Sequence, residues 1–487
     1  MATAPDLSAR RAALSPHARA FTDHATGRVW TFAEIEDQAN RLAAALAPLG
    51  PGARVGLLSY NRAEGFIALF AAAKAGVILC PLNWRAPLLE LRAVAGSVGL
   101  SALVHDVDHY GLSAALAPDL PRIAMRNQGG FALPAAPSRL ATLDEDAPWY
   151  LLFTSGTTGA PKAVIQTPRM ALAVAVNLAQ AMGLTGADQS VCYLPLFHTA
   201  GINLFTLPLF QWGGHSHILP RFDADRLLDL IAAGEVTQFF GVPTIWQAFA
   251  AHPGLQAAGL GRLRGLASGG AALPGDLIQR FADMGAVIRN GFGMTETGPT
   301  GFLIDPQAAL DRIGSVGKPQ MLTEARLDGV PDDQPGEGEL LMRGATITPG
   351  YFANPQATEA AFADGWLRTG DVARRDADGY YTIVDRLKDM YVSGGENVWP
   401  AEVEQALQAH PAVAEAAVVG VADAKWGETG VAFVILHPGA SVEPEGLRIW
   451  CRDRLAAFKV PQRVRLVTDL PRTASGKVRK AALKAHA

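Results

Sequence analysis

Residues 154–162 read Thr-Ser-Gly-Thr-Thr-Gly-Ala-Pro-Lys and follow the apolar run from Trp149 to Phe153. Glycines let a backbone turn and aim its N–H groups at one anion. Here the hydroxyls of Thr154, Ser155, Thr157 and Thr158 and the ammonium of Lys162 add donors and charge. That donor set suits a polyphosphate. The spacing does not match G-x-x-x-x-G-K-[ST], so the loop is not of the ordinary Walker type. The plain alternative, for this segment alone, is a Gly/Thr-rich hairpin. Three charged residues farther on sit in polar, glycine-containing settings: Glu296 in NGFGMTETG (290–298), Asp371 in RTGD (368–371) and Lys477 in PRTASGK (471–477). Singly they read as a solvated loop carboxylate, a turn residue and a solvated charge in a basic tail.

Taken in order, these segments resemble the signatures of the adenylate-forming superfamily, which includes acyl-CoA synthetases, nonribosomal-peptide adenylation domains and firefly-type luciferases. TSGTTG-x-PK is similar to its phosphate loop, so the resemblance implies phosphate contacts from Thr154, Ser155, Gly156, Thr157, Thr158 and Lys162. NGFGMTETG is similar to its aromatic-Gly-x-Thr-Glu motif. There Phe292 would stack on adenine, Thr295 would meet the α-phosphate and Glu296 would help hold Mg²⁺. Asn290, Gly291 and Gly293 of that motif, with Gly270 and Ala271 of ASGGAAL, complete the implied nucleotide contacts. GYFANPQATEAAFADGWLRTGDVA (350–373) brings Asp371 to both ribose hydroxyls, a match of two acceptors to two vicinal donors. DRLKDMYVSGGENVWPAEVE (385–404) implies ribose or phosphate contact from Arg386 and a hinge at Lys388. Lys477 falls on the lysine that the family uses for adenylation. The family's usual Gly after Pro-Lys is Ala163 here, and its commoner Tyr is Phe292. The first change alters the exit geometry of the loop, and the second removes a phenol while keeping the ring.

The resemblance implies an ATP-dependent acid–thiol ligase using ATP, Mg²⁺ and coenzyme A. A carboxylate attacks the α-phosphorus to give acyl-AMP and pyrophosphate, and the CoA thiol then displaces AMP. Rotation about Lys388 would carry Lys477 away and bring Gly394 and Gly395 toward the CoA tunnel. His198 in PLFHTAGIN, Trp246 in GVPTIW and Gly269 are expected to wall the acid pocket. Gly291 stands where malonate-type ligases carry Arg, and 195–210 holds no acid for an α-ammonium, so the expected substrate is an uncharged-tailed acid: a medium- or long-chain fatty acid or an arylpropenoate such as ferulate. The alternatives are an acyl-AMP ligase that loads a carrier protein and a non-catalytic adenylate-binding relative.

The elements that must position these residues alternate. Thr31 and Glu34 form a capping box for a helix through Leu46, followed by a strand at 54–60, a helix at 63–76 and a strand at 77–82. Further strands are expected at 191–195, 215–219 and 236–240. From 313 to 384 short pieces between Gly, Pro and Asp suggest a β-rich subdomain. Beyond Lys388 a helix from Pro400, strands at 416–421 and 429–436 and a helix at 444–457 suggest a separate α+β unit. The expected architecture is α/β: a large N-terminal catalytic domain over 1–386, made of layered α/β subdomains and the β-rich piece, and a small mobile α+β domain over 387–487.

The chain has 487 residues, 49% hydrophobic and 18% charged, enough apolar material for several cores. Its formal charge of −4 disfavours a nucleic-acid binder. Cys80, Cys192 and Cys451 are too scattered for a zinc ribbon or a disulfide framework. No signal-length apolar stretch opens the chain and no run of membrane-spanning length occurs, so a cytoplasmic monomer or homodimer without an integral membrane segment is expected.

Overall fold

The computed structural model describes residues 3–154, 161–424, 426–472 and 478–487. The chain divides into two compact units, Met1–Ala325 with Met342–Leu367, and Arg326–Leu341 with Arg368–Ala487. Residues 326–341 and 368–386 thus group with the C-terminal residues.

Among the described residues three sheets lie wholly in the first unit. The largest runs Arg122–Ala124, Leu100–His105, Arg54–Leu58, Ile78–Pro81, Tyr150–Thr154, Lys162–Gln166; its pairs are parallel except the last. A second joins Arg28–Thr31, Arg19–Asp23, His215–Ile218 and Gln189–Cys192. The third places Gln238–Gly241, Gly265–Ser268 and Ile288–Met294 in parallel, then adds Gly298–Leu303 and Lys318–Pro319 antiparallel.

The capping box forms as expected. Thr31 accepts from Glu34 N, Glu34 reaches back to Thr31 N, and the helix runs Phe32–Leu46. Such a cap is worth about 1 kcal/mol. The Ala63–Ala75 helix shows no polar stripe because almost every face of it is buried. Its Lys74 is tolerated inside through ion pairs to Asp6 at 2.7 Å and Glu36 at 2.8 Å and a hydrogen bond to the Arg139 carbonyl at 3.0 Å. One core collects Phe21, Trp30, Phe66 and Phe210, and a second collects Phe239, Trp246, Phe249 and Phe281.

In the second unit, Val413–Asp423 and Gly427–Leu436 form a long antiparallel ladder that pairs Val418 with Ala432. The first of these strands is longer than the expected 416–421. The helix Pro400–Gln408 lies against it, and Val403 and Leu407 enter the local core. The helix expected to reach residue 457 ends at Arg452.

Candidate active site

The strands Tyr150–Thr154 and Lys162–Gln166 form an antiparallel hairpin in which Thr154 is directly opposite Lys162. The candidate phosphate loop is the connection of that hairpin; its Ser155, Gly156, Thr157 and Thr158 lie outside the described residues. Lys162 Nζ sits 4.8 Å from the ring centroid of Tyr351. The Tyr351 hydroxyl donates to Glu296 Oε1 at 3.0 Å. Burial, then the adjacent Glu296 carboxylate, pushes the Tyr351 phenol well above its ordinary pKa, so it remains a proton donor at neutral and mildly alkaline pH. Gln166 Nε2 donates to the Thr295 carbonyl at 2.9 Å, and Thr348 N donates to the Glu296 carbonyl at 2.8 Å. The turn carrying Thr295 and Glu296 is therefore held on both sides. Sequence reasoning had not singled out Tyr351 or Gln166, although Tyr351 lies in the GYF stretch and Gln166 is four residues beyond Lys162.

Glu296 is only 6% exposed. A buried carboxylate beside a phenol offers hard oxygen donors, which fit Mg²⁺. Among the described residues no three His, Cys, Asp or Glu side chains cluster as a metal cage.

Asn290 to Gly293 lie on the strand Ile288–Met294, with Phe292 half-buried and edge-on to Phe302 at 6.1 Å between centroids. Asn290 Nδ2 donates to the Ser315 carbonyl at 3.2 Å. A Cβ on Gly293 would lie 2.4 Å from Pro299 backbone, which explains the glycine by close approach. Gly270 and Ala271 are exposed just past the C-terminal end of the parallel strand Gly265–Ser268, where ligands bind in open α/β sheets.

Beside this strand end is a narrow, partly open pocket. Leu178, Met182, Leu204, Phe205, Phe240 and Leu303 make its wall apolar, and Gly269 and Gly291 leave it open. Ser268 and Thr300 also line it, and neither was anticipated. Behind Met182, buried Arg289 holds the wall: Nε donates to the Ile304 carbonyl at 2.7 Å and Nη1 to the Ala181 carbonyl at 2.6 Å. Burial lowers its pKa to about 10, so it stays charged at neutral pH. Trp246, expected as a wall, does not line this cavity. It is fully buried in the second core, with Nε1 donating to the Gly241 carbonyl at 2.8 Å, because an apolar helix residue follows the larger apolar surface available. His198 is half-buried ahead of the short helix Thr199–Asn203, edge-on to Phe197 at 4.6 Å, and is not among the cavity-lining residues.

In the second unit, Asp371 and Arg386 are directly opposite on paired strands, and Arg386 Nε meets Asp371 Oδ1 at 2.7 Å. Lys388 occupies an exposed turn just after the strand Tyr381–Arg386. Gly394 and Gly395 form a two-residue hairpin turn with φ of +62° and +87°, joining Ser393 to its partner Glu396. A Cβ on Gly394 would meet the Trp426 ring at 2.8 Å, whereas one on Gly395 would meet nothing within 4 Å. Lys477 lies outside the described residues; Lys480, three positions on in sequence, is half-buried in an ion pair with Glu404 at 2.8 Å.

Residues 8–352 match the family described as AMP-binding enzyme, and residues 402–477 match the AMP-binding enzyme C-terminal domain. A feruloyl-CoA synthase of Amycolatopsis sp is 38% identical over 485 residues, covering 97% of this chain and 96% of its own. An indoleacetate–CoA ligase of Aromatoleum aromaticum is 34% identical, covering 92% of each chain. Among solved structures, o-succinylbenzoate CoA synthetase from Bacillus subtilis with its acyl-adenylate intermediate superposes with a TM-score of 0.89 at 31% identity, covering 99% of both chains. ATP-bound MatB from Rhodopseudomonas palustris gives 0.90 at 28% identity, again covering 99% of both. No described helix is long and apolar enough to cross a membrane. The family models and the relatives in both sequence and structure agree: this chain belongs to the AMP-binding enzyme family and is an ATP-dependent, AMP-forming acyl-CoA synthetase.

Proposed function

We propose that this synthetase activates an uncharged-tailed acid of the aryl type, an arylpropenoate or a compound of similar shape, with medium-chain fatty acids as the second class. The observation that carries this reading is the cavity beside Gly291: among the described residues no charged side chain lines it, so a second carboxylate would be buried without a partner, at a cost on the order of several kcal/mol. The similarity to a feruloyl-CoA synthase and an indoleacetate–CoA ligase supports the same class.

In the first half-reaction the residues of 154–158 and Lys162 bind the departing phosphates, Thr295 orients the α-phosphate and Lys477 stabilises charge as the carboxylate attacks. Phe292, with Gly270, Ala271, Asn290, Gly291 and Gly293, takes the adenine end of ATP, and Asp371 and Arg386 take the ribose. Glu296 would hold Mg²⁺, which would supply neutralising charge there. The work is positioning and charge stabilisation. For the second half-reaction the segment after Lys388 rotates, with 1–386 as the catalytic body, and Gly394 and Gly395 border the path of the CoA thiol. That rotation must release one contact spanning the pivot, since Ala401 N donates to Asp385 Oδ2 at 2.7 Å and thereby caps the helix that begins at Pro400. The enzyme is assigned to the cytoplasm, where ATP and CoA are supplied, as a monomer or homodimer.

The test is pyrophosphate release across arylpropenoates, fatty acids, dicarboxylates and amino acids, with CoA-dependent AMP release measured alongside. Aryl acids should lead and dicarboxylates should fail. Dicarboxylate or amino-acid activation exceeding that of every aryl acid would overturn the assignment.

A further inference from the structure

The acid cavity holds two hydroxyls that its apolar wall does not explain. Ser268 is fully buried at the end of the strand Gly265–Ser268, and Thr300 is 6% exposed on the strand Gly298–Leu303. Both line the cavity, and neither Oγ of Ser268 nor Oγ1 of Thr300 has a hydrogen-bond partner among the described residues. An unmade hydrogen bond at a buried hydroxyl is costly, so such groups in a native fold call for a partner that binds. The side chains of the other lining residues, Leu and Phe chiefly, carry no hydroxyl, amide or charged group that could serve.

We propose that Ser268 and Thr300 are specificity residues that hydrogen-bond a hydroxyl on the tail of the acid, so that the preferred substrate is a ring-hydroxylated aryl acid rather than a purely hydrocarbon one. A hydroxyl both donates and accepts, as each protein hydroxyl can, so one ring hydroxyl can satisfy both. The inference rests on the aryl-acid reading above and narrows it. A site built around hydrogen-bonding groups rejects an analogue lacking the matching hydroxyl far more strongly than an apolar pocket rejects a methylene.

The test compares kcat/KM for pyrophosphate release with 3-phenylpropenoates carrying a ring hydroxyl or, at the same position, a methyl group of similar size. Wild type should favour the hydroxylated acid by about 10-fold or more at one ring position at least. Ser268→Ala and Thr300→Val should each cut that ratio several-fold, chiefly through KM of the hydroxylated acid. Thermal melts of the ligand-free variants should stay at or above the wild-type value, because each substitution removes an unsatisfied buried group. Equal use of the two acids by wild type, or ratios unmoved in both variants, would overturn the inference and leave the aryl-acid assignment standing. No release with any aryl acid would overturn both.

Discussion

The Tyr351 hydroxyl and Glu296 Oε1 stand 3.0 Å apart, and the same tyrosine ring lies 4.8 Å from Lys162 Nζ. One aromatic side chain thus links the lysine of the phosphate loop to the carboxylate expected to carry Mg²⁺. Tyr351→Phe keeps the ring beneath Lys162 and removes only the donor to Glu296. Loss of a hydrogen bond to a charged group costs roughly 1.5–3 kcal/mol, so kcat/KM for MgATP should fall about 10- to 100-fold, with a raised Mg²⁺ requirement. Pyrophosphate release over a Mg²⁺ titration measures it. An unchanged Mg²⁺ dependence would mean that Tyr351 does not orient the carboxylate.

Gly291 faces the cavity because no side chain fits there. A Cβ would lie 2.8 Å from the Phe302 carbonyl oxygen and 3.2 Å from Leu303 Cδ1, on the paired strand. Gly291→Ala should therefore raise KM for the acid, with kcat/KM down about 10-fold, on the scale of a misplaced reacting group. Circular dichroism and a thermal melt separate this from unfolding. A variant that folds and turns over normally would remove Gly291 from the pocket.

Lys477→Ala should depress adenylation by about 10² or more, the scale of losing one transition-state donor, while sparing thioester formation from supplied acyl-AMP. Burst measurements of pyrophosphate and of CoA thioester, taken separately, decide it. Equal losses in both half-reactions would rule out rotation about Lys388.

Acid should weaken the fold through a buried histidine cluster. His24 Nε2 and His217 Nδ1 are 3.0 Å apart, and His215 Nε2 lies 2.9 Å from Thr22 Oγ1. Burial, then the neighbouring His217 and Arg19, lowers His215 to about 3; burial, then His24, lowers His217 to about 4. The unfolded chain takes up protons near pH 6.5 and the folded one does not, so this stability is complete above pH 6.5 and is lost as pH falls toward 4. Each histidine contributes a slope of roughly 1.4 kcal/mol per pH unit in that window. Urea midpoints from pH 7 to 4.5 should decline less steeply in His217→Gln than in wild type; parallel curves would exclude the histidine.

Some of this molecule can be read locally. The Thr31–Glu34 capping box works because its partners are three residues apart, and the motif at 154–162 is legible as a family signature because its glycines, hydroxyls and lysine lie within nine positions. The same holds for the strand–helix alternation, since periodicity reports which residues share a face.

Periodicity cannot say which neighbour covers that face. Trp246 turned into a core rather than onto the cavity beside Gly291, Lys74 entered the interior because Asp6, Glu36 and the Arg139 carbonyl converge on it, and Gly291 was required by a carbonyl eleven residues away. Arg386 found Asp371 only through strand register. Tyr351 became a link in the site by crossing 55 positions to Glu296. The residue types and their order determined the family, because each of its motifs is a run of contiguous residues and the runs follow one another in order. The burial of a lysine, the bracing of Glu296 and the two hydroxyls without a partner among the described residues in the cavity beside Gly291 were decided by tertiary structure, because each depends on atoms from distant segments meeting within hydrogen-bond or van der Waals range, or failing to meet.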